Sequence, residues 1–255
     1  MFLSLIFSQS AAVQLLLLTG FGVFCYAAAL GYLWVLRRRY RNLSRAVPVS
    51  TFISTIATAW ALALGFAAAD VWSARAQAEQ AVSEERSAII RLIGIAGADA
   101  LDLPQIMKSL ARYQHEVRET EWGTGYNRTP LQSVDAALQQ IRVDIVKLAQ
   151  SGVPGPLVGK MTRDFDELQD ARNTRLAIGT SSVSTHKWNL VLFLTLLSMV
   201  AIAATHADRP TAARNALSIF MVAAVVSLWF LALHATPYSG SAGIRFSELH
   251  LPSEE

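Results

Sequence analysis

The side chains best equipped for chemistry fall into three groups. They are the carboxylates of "DFDELQD" (Asp164, Asp166, Glu167, Asp170), five histidines, and one aspartate, Asp70, at the end of a long apolar run. Clustered carboxylates can hold a hard cation through oxygen ligands. Arg163, Arg172 and Arg175 surround this cluster, however, and mixed signs predict a solvated helix face instead. His115, His186, His206, His234 and His250 are scattered, without the paired spacing of a metal site. Histidines at the edge of an apolar run, such as His186 and His234, are expected to be interfacial polar residues. No phosphate-binding loop, dinucleotide glycine motif or nucleophile elbow occurs. The expectation is a protein that is not an enzyme, with no catalytic residues, no metal and no cofactor.

Asp70 stands apart. In "GFAAADVW" it closes an apolar stretch two residues before Trp72. An ionisable residue at membrane depth is a functional candidate by default. Arg75, five residues on, misses the i,i+4 register of a helical ion pair. A partner is therefore expected from elsewhere, and Asp70, Arg172 and Arg175 are the candidates for a structural charge pair. The same run carries Thr51, Ser54, Thr55, Thr58, Gly65 and Ala69. At about 100° per residue these share one sector of a helix, and Asp70 lies about 100° off it. Such a hydroxyl-bearing, small-residue face either packs against a neighbouring helix or lines a water-filled path. Thr51, Ser54, Thr55, Thr58, Gly65 and Asp70 are the candidate pore-lining residues.

The elements that must position these residues are membrane spans. Of the 255 residues 53% are hydrophobic and only 16% charged, which places the chain among integral membrane proteins. Four runs meet the requirement of about 20 mostly apolar residues: 11–36, 52–72, 187–205 and 215–234. Tyr32, Trp34, Trp72 and Trp188 lie near run ends, where interfacial aromatics belong. The chain opens "MFLSLIFSQS", without a basic residue, so the first run reads as a span rather than a cleaved signal. The lone cysteine, Cys25, lies inside it and makes no internal disulfide.

Charge sets the orientation. Arg37, Arg38, Arg39, Arg41 and Arg45 directly follow the first run, as a membrane-flanking anchor rather than a nucleic-acid surface. Arg209 and Arg214 outweigh Asp208 between the third and fourth runs. Both short loops lie on one side of a four-span chain, and positive loops face the cytoplasm. The long segment and both termini then face the periplasm or exterior of an inner (plasma) membrane. The expected partners are membrane lipid, further copies of the chain and small ions, with no nucleic acid.

Residues 73–186 read as helices. The first continues the second span, because "VWSARAQAEQAVSEERSAIIRLIGIAG" has no proline and no glycine before Gly94. Positions 71, 78, 85, 92 and 74, 81, 88, 95 form an alanine-rich heptad seam interrupted only by Glu85. The seam serves either the chain's own helices or an oligomer. A second helix is expected after Asp102 as N-cap and Pro104 in the first turn, with Ile106, Leu110, Tyr113 and Val117 on its apolar face. A third starts from Thr129, Pro130 and Gln132 as a capping box. A fourth runs from about Leu157 to Ile178, with Met161, Phe165, Leu168 and Arg172 on one side and a stop at Gly179. The polar joint "GTSSVST" then leads into the third span.

Three pieces taken in order carry a resemblance. They are "ALGFAAADVWSARAQAEQAVSEE" with Val71-Trp72 and Glu84-Glu85, "RYQHEVRETEW" with Tyr113, Val117 and Glu121-Trp122, and "ARNTRLAIG" with Arg172 and Arg175-Leu176. Over about residues 50–235 the chain resembles the bacterial bestrophin-like family. The resemblance implies the architecture of bestrophins, anion channels with four spans per subunit that assemble as pentamers around the second span. It also implies a cytoplasmic long segment, opposite to the side predicted by the arginine-rich first loop. Span two offers Thr, Ser, Gly and Ala where bulky neck residues are expected.

The expected fold is an all-α, four-span transmembrane protein with a helical bundle inserted between spans two and three. Its parts are a hairpin over 1–72, the bundle over 73–186, a second hairpin over 187–235 and a polar tail over 236–255. Two functions stay open: a homo-oligomeric, channel-like assembly for small ions with span two lining the path, or a non-conducting scaffold or accessory sensor subunit whose bundle binds a partner.

Overall fold

The computed structural model describes residues 6–7, 9–40, 50–124, 127–180, 185–240 and 242–246, and the backbone alone at 50, 51, 123 and 124. Among these residues there are seven long helices and no strand. They are α1 (Ala11–Arg39), α2 (Ser50–Ala96), α3 (Pro104–Glu116), α4 (Gln132–Gln150), α5 (Gly155–Thr180), α6 (Thr185–Thr205) and α7 (Pro210–His234). A wider π-helical stretch, Val117–Thr124, prolongs α3. Four helical stretches are long and apolar enough to cross a membrane. The chain is thus an all-α, four-span protein with helices inserted between its second and third spans. Arg41, Arg45 and most of the "GTSSVST" joint lie outside the described residues.

The chain divides into two compact units, 1–73 with 183–236, and 74–182 with 237–255. In the first, α1 packs on α6 and α7, and α6 on α7. Helices in lipid gain little from apolar burial against one another, so close approach and hydrogen bonds must hold them. Both devices are present. At Gly22 an added Cβ would lie 2.6 Å from Val225 Cγ2, so glycine sets the spacing of α1 and α7. Trp60 Nε1 donates to Thr195 Oγ1 at 2.9 Å, and Thr195 Oγ1 donates in turn to the Val191 carbonyl. Cys25, Ala29, Met199, Ala203, Ala213 and Leu217 form a tight small-residue core.

In the second unit α4 packs on α3 and α5. Its core joins Ala78, Ala81, Ala88 and Leu92 of α2 to Leu110, Ile141, Met161 and Leu168. Six of the eight seam positions of α2, Glu85 included, are buried within the chain, and Ala74 and Ile95 are half-buried. The described part of the C-terminal segment joins this unit. Tyr238 Oη donates to the Ala78 carbonyl at 3.3 Å, Arg75 Nη1 donates to the Ala242 carbonyl at 2.7 Å, and Tyr238 and Phe246 pack edge-on against Trp122.

Several helix ends differ from the sequence expectation. Helix α3 starts at Pro104 with Leu103 as N-cap, and Asp102 sits one residue earlier in the left-handed region, at φ 45°. Helix α4 starts at Gln132 with Leu131 as N-cap and no side-chain cap, so Thr129 and Pro130 precede it. The reason is tertiary: the Leu131 N–H turns to Glu121 Oε1, at 3.4 Å. Helix α5 runs through Gly179 to Thr180 instead of stopping. That glycine is required by a close approach, because a Cβ there would lie 1.8 Å from the Asn127 carbonyl oxygen.

Candidate functional site

Two sites gather the residues singled out by the sequence, one in each unit. The first is the face of α2. Ser54, Thr55, Thr58, Gly65 and Ala69 are all exposed, while Ala63, Ala67 and Val71 on the opposite side are buried among α6 and α7 residues. Leu62 and Phe66 flank the hydroxyl sector and are exposed at 57% and 65%. One chain therefore covers only the alanine side of this helix. The Thr51 side chain lies outside the described residues.

Asp70 sits at the edge of the covered side, and its partner corrects the expectation. Lys187 Nζ, in the first turn of α6, donates to Asp70 Oδ2. Arg172 and Arg175 are engaged elsewhere. Both members of the Asp70–Lys187 pair are part-exposed, at 40% and 49% of their side chains, so solvent screens the attraction. Nearby, Trp72 stacks on His234 at 5.0 Å, and His234 Nδ1 lies 2.9 Å from the Phe230 carbonyl.

The second site is a buried charge network in the bundle. Helix α5 places Arg172 and Arg175 three residues apart, one turn along the same face, beside Phe165 and Leu168. Helix α2 supplies Glu85, the break in its alanine seam. The π-helical stretch after α3 supplies Glu121, since its wider turn carries that carboxylate inward. Arg175 Nε donates to Glu85 Oε2 at 2.6 Å, and its Nη2 donates to Glu121 Oε2 at 2.9 Å. Its Nη1 donates to Asn127 Oδ1. Arg172 Nε donates to Glu121 Oε1 at 3.0 Å, and its Nη1 reaches Asp135 at 2.8 Å. Tyr113 Oη donates to Glu85 Oε1 at 2.6 Å. Glu85, Glu121, Tyr113, Asn127 and Arg175 are all fully buried.

Two guanidinium groups face two buried carboxylates, with the exposed Asp135 as a third carboxylate at the edge. Burial works most strongly against the charge on Arg175, but Glu85, Tyr113 and Glu121 together outweigh it and hold the guanidinium above its ordinary value. The same opposition, with Glu121 as partner, raises Arg172. Burial, and then the Glu85 carboxylate, push the Tyr113 phenol well above the usual tyrosine range. The guanidinium of Arg175 also lies 5.3 Å from the Trp122 ring centre. Among the buried polar side-chain atoms of this network, Asn127 Nδ2 alone has no partner among the described residues. The arrangement ties α2, the end of α3, the segment before α4, and α5 together; it presents no free nucleophile or base.

In "DFDELQD", Asp164 is buried rather than solvated, and Asp164 and Glu167 find cations other than the neighbouring Arg163, Arg172 and Arg175. Asp164 pairs with Arg91 and Lys160, and Glu167 also pairs with Arg91. Among the described residues no group of His, Cys, Asp and Glu converges as a metal site.

Four spans with a helical insertion after the second define a polytopic α-helical membrane protein whose long second helix presents an uncovered polar face. The Bestrophin-like domain matches residues 23–249, and the chain belongs to the Bestrophin-like family. Solved structures share the fold at low identity. Two variants of a bacterial bestrophin homologue from Klebsiella pneumoniae match with TM-scores of 0.65 and 0.69 at 17% and 15% identity. The first covers 94% of this chain and 95% of the other, and the second 94% of both. A further structure, described as a membrane protein, matches at 18% identity and a TM-score of 0.65 over 92% of this chain and 93% of its own. No curated protein sequence matches the chain.

Proposed function

We propose that the chain is one subunit of a homo-oligomeric, channel-like assembly for small ions, with the Ser54–Thr58–Gly65 face of α2 lining the path. The observation that carries this reading is the exposure of that face. A helix apolar enough to span lipid leaves Ser54, Thr58 and Gly65 exposed on its own chain. Hydroxyls in hydrocarbon favour a partner helix or water, and a ring of such helices around a common axis supplies both. Thr51 belongs to the same sector by sequence. Asp70, engaged by Lys187 at the edge of the covered side, is assigned to holding α6 on α2 rather than to touching ions.

The membership in the Bestrophin-like family supports a channel-type protein over an enzyme. Positive charge supports an inner-membrane orientation with the bundle and both termini outside: Arg37, Arg38 and Arg39 fill the last turn of α1, and Arg209 precedes α7. Protease cleavage near Arg128 in intact cells with the outer membrane opened tests that side; protection there, with cleavage in inverted vesicles, reverses it.

The central test is ion flux from vesicles containing the reconstituted full chain. Thr58→Cys, treated with a water-soluble thiol reagent, is expected to lose most of its flux, and the parent protein with its buried Cys25 to keep it. Absence of flux from the parent, or a monomer by light scattering in detergent, sinks the channel reading and leaves the non-conducting scaffold.

A further inference from the structure

The two ends of the membrane unit differ in charge. At the start of α6, Lys187 is matched by Asp70. At the other end the signs are unequal. Arg37, Arg38 and Arg39 lie in the last turn of α1, Arg209 directly precedes α7, and Arg214 stands in its second turn. Across residues 30–40 and 202–215 Asp208 is the sole acid. It lies 3.4 Å from Arg209, whose side chain is still 80% exposed. Packing brings the two stretches together, because Leu33 and Leu36 near the end of α1 share one cluster with Ala207 and Ala213. All five arginines are exposed, so one corner of the unit presents five guanidinium groups against one carboxylate.

Position and chemistry together select what covers this corner. Trp34 and Val35, just before the arginines, are exposed at 57% and 51%, as the lipid-facing side chains of a span are. Trp34 and Tyr40 bracket the arginines with aromatic residues, which sit at head-group level. The arginines therefore reach the depth of lipid phosphates, and a soluble acidic partner would have to displace those head groups first. Every Lys or Arg in the two stretches is an arginine. A guanidinium offers a planar fork that binds phosphate oxygens in pairs, where an ammonium offers a point charge. The Arg38 guanidinium lies over the Trp34 ring, 4.3 Å from its centre, which orients the fork and leaves its N–H edges for a ligand.

We infer that this corner of α1 and α7 is a binding surface for anionic phospholipid head groups, with the phosphodiester held between the arginines that end α1 and Arg209 with Arg214. A zwitterionic phospholipid carries the same phosphate, but its own ammonium cancels the charge, so the net charge of the head group decides retention. The inference does not depend on whether the chain conducts ions.

The test uses the full-length protein purified in detergent, incubated with equal amounts of phosphatidylglycerol and phosphatidylcholine of the same acyl chains, and read by native mass spectrometry. The parent protein is expected to retain phosphatidylglycerol preferentially. Arg209→Gln with Arg214→Gln, and separately Arg37→Gln with Arg39→Gln, are expected to lower that preference about fivefold for each arginine facing the lipid. Lys187→Gln, at the opposite end, is expected to leave it unchanged, as is inorganic phosphate added at matched ionic strength. A double variant that fails to fold by circular dichroism is replaced by Arg214→Gln alone. The inference is overturned by equal retention of the two lipids in the parent, by a preference unchanged in the folded arginine variants, or by an equal loss in Lys187→Gln. Displacement of the lipid by inorganic phosphate also overturns it, making the corner a site for free anions.

Discussion

The membrane unit and the bundle solve the same packing problem with opposite materials. In the membrane unit α1, α6 and α7 meet through Gly22, Cys25, Ala29, Ala203 and Ala213, and its ion pair between α2 and α6, Asp70–Lys187, is part-exposed. In the bundle the centre holds Arg175, Glu85, Glu121 and Tyr113 with essentially no solvent contact. The difference follows from the surroundings. Water drives the bundle's Leu, Ile and Met side chains together, and that gain carries the cost of desolvating charges. Lipid provides no such drive, so the membrane unit relies on fit. The bundle should therefore be fragile to charge changes and the membrane unit to size changes.

The largest effect is expected in the bundle. Arg175→Met leaves Glu85 and Glu121 buried without their shared cation, and unpairing a buried ion of this kind costs about 3–5 kcal/mol. Hydrogen exchange followed by mass spectrometry should show the amides of 78–96 and 132–178 losing protection while those of α1 and α7 keep theirs. Equal loss in both units would erase the contrast.

Next comes Tyr113→Phe, which removes the bond to Glu85 and is expected to cost about 1.5–3 kcal/mol in denaturant unfolding. The same phenol gives a pH signature. Its value is raised in the folded state, so its contribution is complete below the ordinary tyrosine value of about 10 and is lost as pH climbs beyond it. The parent bundle should weaken at alkaline pH by an amount that Tyr113→Phe abolishes. An unchanged alkaline slope in the variant would assign it to another group.

In the membrane unit the damaging change is steric. Gly22→Leu forces a branched side chain where Val225 Cγ2 already limits a single Cβ, and overpacking costs about 1–3 kcal/mol. Thermal stability in detergent should fall while bundle protection holds. The smallest effect belongs to Lys187→Met, since part-exposed pairs are worth about 0–1 kcal/mol. A large loss there would mean that the pair is dehydrated in its membrane setting, which would narrow the contrast between the two units.

Much of the architecture was legible before any coordinates. The four spans follow from run length and the absence of interior charge, and the inserted helices from their 3.6-residue periodicity. Ile106, Leu110, Tyr113 and Val117 are buried as the periodicity predicts. Glu85 was visible as the one flaw in an alanine seam, and Arg172 as a charge on an apolar stripe. Those were the available signals of the network. Helix starts were less legible. Thr129 and Pro130 have the right chemistry for a cap, but Glu121 captures the Leu131 N–H and the helix begins later.

The sequence alone determined the number of spans, the insertion after the second, and which face of α2 carries hydroxyls. Each of these depends on residue spacing along one helix. Only the tertiary structure decided which charge meets which. Asp70 takes Lys187, 117 residues away, while Arg175 takes Glu85 and Glu121, 90 and 54 residues away. Sequence spacing cannot rank such partners, because any arginine suits any carboxylate. Chain topology, the wider turn around Glu121 and the bare Gly179 backbone under Asn127 select the partners that come within reach.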